Sequence, residues 1–243
     1  MSLTLFFILL LFVVAFLYAA VGHGGASGYL ALMAIFGMAP EFMKPTALLL
    51  NLFVSLSAFV LFYKEGHFKW KIFLPFALAS IPCSFLGGMI SLDASIYKKI
   101  LGVLLLIPVA RLLFFPNKDY YDLRQSVFLL SLLIGACIGF LSGLIGIGGG
   151  IILSPVLLLL AWTDQKQTAA ISALFIFVNS MSGLAGQLTK GIEFQSGMVA
   201  FVGVAFAGGS LGAWFGARRF NQNILKYLLA IVLLMASIKL LLT

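Results

Sequence analysis

Four glycines fall within five positions at Gly146-Ile147-Gly148-Gly149-Gly150, between two strongly apolar runs. Glycine gives up more backbone freedom than any other residue on entering a helix, so such a cluster interrupts one. An interruption inside lipid exposes backbone N–H and C=O groups that hydrocarbon cannot satisfy. They must face protein, water or a ligand. A degenerate copy, Gly22-His23-Gly24-Gly25-Ala26, lies 124 residues earlier (146 − 22). The rest of the chain reads as two halves built around these two breaks.

The flanking runs are membrane segments. Hydrophobic residues make up 63% of the chain and charged residues 9%, against about 45–50% and about 25% in soluble domains. A chain of 243 residues has room for roughly ten segments of about 20 residues, and no soluble domain fits beside them. The first run, residues 3–21, lacks a basic n-region and is longer than the apolar core of a signal peptide, so it reads as a membrane helix. The net charge of +8 is spread over loops and helix ends. That distribution suits membrane topology and anionic headgroups rather than nucleic acid. Cys83 and Cys137 each lie inside an apolar run and read as small packing residues, not a disulfide.

The expected segments of the first half are residues 3–21, a short piece 25–39 closed by Pro40, 44–63, 70–92 and 95–115. Those of the second half are 125–145, a short piece 149–161, 166–188, 196–218 and 224–242. The polar stretch 116–124 is the linker, giving a first transmembrane repeat at 1–115 and a second at 125–243. The repeat persists at the level of residues. Lys44 and Thr46 match Lys166 and Thr168, and Ser80, Ser84 and Gly88 match Gly208, Gly212 and Gly216. Ala15 and Ala19 match Gly139 and Gly143. Small residues four apart let helices approach closely, so these stripes are helix–helix seams, either internal or between copies in a homo-oligomer.

An odd number of segments per half places the second copy upside down in the membrane. The fold expected is an all-α polytopic membrane protein: two inverted repeats of about five helical segments, each with a Gly-rich helix break near the midplane. Ten crossings put nine basic residues (Lys64, Lys69, Lys71, Lys118, Arg124, Lys166, Arg218, Arg219, Lys226) on one side and Lys44, Lys98, Lys99 and Lys190 on the other. The first side is then cytoplasmic, with both termini outside.

No carboxylate lies mid-helix. Glu41, Glu65, Asp93, Asp119, Asp122, Asp164 and Glu193 all fall in loops or at helix ends, which argues against a cation as cargo. Each break instead opens a short helix whose first N–H groups lack partners and carry the positive end of the dipole. Glycine lets an anion reach that backbone. The expected anion-binding residues are Gly22, His23, Gly24 and Gly25 in the first break and Gly146, Gly148, Gly149 and Gly150 in the second. Thr46, Asn51, Thr168, Ser172 and Asn179 stand beside them as hydroxyl and amide donors, although such groups also bond their own helix backbone. Lys44 and Lys166 occupy matching helix starts, where they attract anions at the mouths or snorkel to the interface. His23 is the only titratable group in a break; it binds an anion, passes a proton or is a packing residue. There is no metal-ligand cluster, and neither histidine has a carboxylate at helical spacing, so neither an enzyme nor a cofactor is expected.

These residues resemble the sulfite exporter TauE/SafE family of membrane permeases. The resemblance rests on residues 143–150 (GLIGIGGG), Pro155, and 166–172 (KQTAAIS), with the degenerate first copy at Gly22-His23-Gly24-Gly25, Lys44 and Thr46. It covers nearly the whole chain. It implies a secondary transporter, an exporter of sulfite or a small organosulfonate, in the bacterial inner membrane. The partners implied are a small anionic substrate, membrane lipid and a proton for coupling. The alternative is an anion channel, or a transporter of another small anionic metabolite.

Overall fold

The computed structural model describes residues 3–20, 25–114, 123–192, 196–216 and 222–242. Among these there are ten helices and no strand: α1 Leu3–Ala20, α2 Ala26–Ile35, α3 Pro40–Lys64, α4 Trp70–Met89, α5 Ala94–Phe114, α6 Phe128–Ile145, α7 Gly150–Leu159, α8 Gln165–Leu188, α9 Ser196–Gly216 and α10 Gln222–Leu242. Four of them, α3, α4, α6 and α8, are long and apolar enough to cross a bilayer. Large apolar side chains such as Leu78, Leu129, Leu133, Val199 and Met235 point outward. In water such a surface would associate; in lipid it is the ordinary outer face.

The helix boundaries follow local chemistry. Pro40 is not the end of the short second piece but the first residue of α3. Proline fixes φ at a helical value and gives up an N–H that would have no partner there. Asp164 caps α8, its carboxylate accepting from the Gln167 N–H at 2.8 Å. The two short helices are 10 residues each rather than 14 or so, about 15 Å of rise, or half of a hydrocarbon core. They are matched end for end. Gly25 (φ 69°, ψ −12°) caps α2, and Gly149 (φ 77°, ψ −19°) caps α7, both left-handed and both without a side-chain cap. At the far ends, Phe36 and Leu160 donate to carbonyls at matching positions, Leu32 and Ala34 in one, Val156 and Leu158 in the other.

The small-residue stripes are internal seams. A Cβ on Gly135, Gly139 or Gly143 of α6 would collide with the carbonyl oxygens of Phe76, Ser80 and Ser84 of α4 respectively. The contacts advance together, so α4 and α6 run parallel with backbone against backbone. Gly208 and Gly212 of α9 meet the carbonyls of Phe12 and Phe16 of α1 in the same way. Along α4 and α8, Ser84 donates to the Asn179 carbonyl at 2.8 Å while Gly88 abuts Gly183, again a parallel register. Along α3 and α8 the register is antiparallel: Asn51 pairs with Ser180, and Leu48 with Gly183.

Two apolar clusters hold the short helices. Helix α2 is buried from Ala26 to Ala34 among α1, α3, α5 and α10. Leu153 and Leu157 of α7 pack instead with Phe73, Phe76, Trp162, Ile171 and Phe175. Cys83 and Cys137 are free thiols, half-buried and exposed.

Candidate functional site

Helix α6 ends at Ile145 and α7 starts at Gly150, so the second glycine cluster is a break between helices. Gly146, Gly148 and Gly149 all take positive φ (89°, 72° and 77°), the left-handed region where a Cβ is strained. Each also faces a close neighbour. A Cβ on Gly148 would lie 2.6 Å from Asn51 Nδ2, 2.9 Å from Ile176 Cγ2 and 3.1 Å from Ser180 Oγ. One on Gly149 would lie 2.8 Å from Ile138 Cγ2 and 2.9 Å from Phe175 Cε1. Gly150 is covered by Ile176, and Gly146 by the backbone and side-chain stem of Lys44.

The break therefore presents backbone to a small polar group made by two other helices. Asn51 Nδ2 donates to Ser180 Oγ at 3.3 Å across the α3–α8 seam, and both residues are fully buried. Asn51 Oδ1 has no partner, nor does Asn179 Oδ1 one residue from Ser180. Ser142 Oγ, in the last turn of α6 and beside Gly149, is also unpartnered. A buried polar atom without a partner costs about 1–3 kcal/mol, so these three leave bonding capacity unused on the helices that flank the break. A carboxamide turned over exchanges its oxygen and NH2, so the free position at Asn51 can offer an acceptor or two donors.

The donors expected from the sequence divide into separate places. Asn51 stands at the break. Asn179 donates from Nδ2 to the Phe175 carbonyl at 2.8 Å. Ser172 pairs with Ser154 of α7 at 2.9 Å, about 12 Å along α8 from Ser180. Thr168 is further away, bonding Thr163 at 2.7 Å and the Asp164 carbonyl at 2.7 Å. Thr46 bonds back to the Phe42 carbonyl at 2.6 Å. Thr46 and Thr168 thus spend their hydroxyls on their own helix or corner. Lys44 and Lys166 differ: Lys166 is exposed, whereas Lys44 is half-buried and donates to the Ile90 carbonyl at 3.2 Å. Gly25 caps α2 with Tyr29 packed against it, the Tyr29 hydroxyl buried and unpartnered. Gly22, His23 and Gly24 lie outside the described residues. Ser180, a hydroxyl donor that the sequence offers next to Asn179, joins the site, and so does Ser142, which was not expected. The signal for Ser142 was its place four residues before Gly146 on the seam face of α6.

The family model for the sulfite exporter TauE/SafE matches residues 7–240. The chain is 37% identical over 240 residues to the probable membrane transporter protein y4hK of Sinorhizobium fredii, covering 95% of each. It is 31% identical over 216 residues to a probable membrane transporter protein of Haemophilus influenzae, 85% of this chain and 81% of that one. It is 26% identical over 224 residues to the probable membrane transporter protein YunE of Bacillus subtilis, 83% and 81%. No solved structure matches. With the family match running through both glycine segments and nearly every helix, the chain is an integral membrane transporter belonging to the sulfite exporter TauE/SafE family.

Proposed function

We propose that the protein carries a small sulfur-containing oxyanion, sulfite or an organosulfonate, out across the bacterial inner membrane by alternating access. The observation that carries this reading is the α7 N-terminus. Gly149 leaves it without a side-chain cap, and Gly148 holds it against Asn51 and Ser180. Uncapped N–H groups at the positive end of a helix, next to a carboxamide with free bonding capacity, suit an oxyanion. Among the described helices no carboxylate lies past the first turn to oppose it.

An inverted repeat accounts for the pairing of the helices. The first helix of each half packs parallel to the fourth helix of the other, α1 with α9 and α6 with α4. The third helices, α3 and α8, cross antiparallel, as partners around a twofold axis in the membrane plane do. The equal caps of α2 and α7 fit the same axis. On this arrangement two half-helices bring their N-terminal ends toward a shared anion, and rocking of one half against the other exposes it to each side in turn. His23 is the residue through which a proton would be coupled.

The test is flux in proteoliposomes loaded with sulfite, sulfoacetate, thiosulfate, sulfate or chloride, with and without a pH gradient. Saturable movement of one sulfur oxyanion with counterflow is the expected result. Linear flux without counterflow would replace the carrier by a pore, and no flux of any anion from folded protein would end the substrate assignment.

A further inference from the structure

The geometry points to a second oxyanion site, a vestibule on one side of the molecule built by Lys44, Lys190 and Gln187. A cavity of about 180 Å³ opens where α3 begins, α4 ends and α8 ends. Its wall carries two ammonium groups. Lys44 Nζ donates to the Ile90 carbonyl at 3.2 Å, and Lys190 Nζ to Ser91 Oγ at 3.1 Å. Among the described residues both hold neutral oxygens only. Glu41 at the exposed rim ion-pairs with neither, so the described lining of the cavity carries a positive balance.

Gln187 supplies the independent observation. It lines the same cavity, is 1% exposed, and neither its Nε2 nor its Oε1 has a partner. A buried carboxamide with all its bonds unmade is expensive unless something fills the cavity. An oxyanion answers every group present: it accepts from both lysines and from Gln187 Nε2, and a protonated oxygen on it donates to Gln187 Oε1. The volume suits a sulfite ion or a sulfonate head rather than a large solute.

The floor of the cavity leads to the break. Leu144 lines it, and Tyr97 closes it by donating to the Ile145 carbonyl at 2.8 Å, one residue before Gly146. Gly146 in turn abuts Lys44. An anion held here sits at the threshold of the glycine site, so this inference rests on the anion-transport reading and adds where the anion waits. The matching position in the other half, Lys166, is exposed. The vestibule is one-sided, and the two mouths treat the anion differently. On the charge reading of the loops, this is the side away from the cytoplasm.

The chemistry of a lipid phosphate is the same as that of a free oxyanion, so the experiment separates them. Purified protein in pure phosphatidylcholine vesicles is assayed for sulfite flux as wild type, Lys190→Gln, Lys44→Gln and Gln187→Leu. The expected result is an apparent KM raised about tenfold by each change with Vmax held within about twofold, and a weaker dependence of KM on NaCl in the lysine variants. Lys190 is exposed beyond the end of α8, so its variant folds whatever the others do. Equilibrium binding of radiolabelled sulfite to Gly148→Ala protein is measured beside it, with and without Lys190→Gln. Binding that survives Gly148→Ala and falls with the added change supports the vestibule, even if wild type moves no sulfite and the transport reading fails. Unchanged KM and binding in Lys190→Gln overturn it. So does a lysine dependence that appears only when phosphatidylglycerol is added, which would assign the pocket to lipid headgroups.

Discussion

Asn51 of α3 and Ser180 of α8 meet across an antiparallel seam, 3.3 Å apart, with Gly148 of the break packed against both. Three segments far apart in sequence thus share one buried polar point. The bond by itself adds little stability, because Asn51 Oδ1 remains unsatisfied. Replacing both partners by apolar groups of similar volume is close to neutral for folding, whereas replacing one alone strands the other. Asn51→Leu combined with Ser180→Ala is therefore expected to keep stability, read by thermal melting of the detergent-solubilised protein, within about 1 kcal/mol of wild type while anion flux falls at least about tenfold. Flux that stays at the wild-type level in the folded double variant would remove this pair from the site.

Gly148 and Gly66 have similar backbones, with φ of 72° and 78°, but different surroundings. Nothing lies within 4 Å of a Cβ on Gly66, whereas one on Gly148 would press on Asn51 and Ile176. Alanine at either position costs about 1–2 kcal/mol for the left-handed backbone. Only at position 148 does it also displace the polar group. Gly66→Ala is expected to transport at the wild-type rate with a modest loss of stability, and Gly148→Ala to lose flux altogether. Equal loss in both would mean that the break acts only as a hinge.

The seam between α4 and α6 leaves no room for a side chain. A Cβ at Gly143 would collide with the Ser84 carbonyl, and backbone cannot step aside as a side chain can. Gly143→Leu is expected to destabilise by about 3 kcal/mol or more through forced separation of the helices. Cys137→Leu, on the outward face of the same helix, is expected to change stability by less than about 0.5 kcal/mol. Thermal melting in detergent and the yield of monodisperse protein separate the two.

The glycine cluster, the seam stripes and most helix boundaries were legible because each is set by neighbours along the chain. Gly139 and Gly143 lie on one face of α6 by helical spacing alone, and the structure needs only a second helix to fill that face. Pro40 misled because proline both ends and begins helices, and the residue that decides between them, Ala39, carries no signal of its own. The grouping of polar side chains was not legible. Asn51 meets Ser180 only through the register of α3 on α8, a tertiary quantity. Thr168, chosen for its position in a motif, turned out to be bonded to Thr163 at a corner. Gln187 and Lys190 gave no pattern in the sequence, because a buried unpartnered amide is visible only after the chain has closed around it.

The proposed inverted repeat makes a prediction about sidedness that does not depend on transport. Under that repeat the α3–α4 turn near Glu65 is the counterpart of the α8–α9 turn near Thr189; both residues are exposed. If the halves are inverted, these turns lie on opposite sides of the membrane. The loop charges put Glu65 inside, with Lys64, Lys69 and Lys71, and Thr189 outside. In a background with Cys83 and Cys137 replaced by alanine, Glu65→Cys is expected to react with a membrane-impermeant maleimide only after the cells are opened, and Thr189→Cys in intact cells. Labelling of both from the same side would make the repeats parallel. The two half-helices would then approach from one side, and the shared anion site between their N-termini would be lost with the symmetry that builds it.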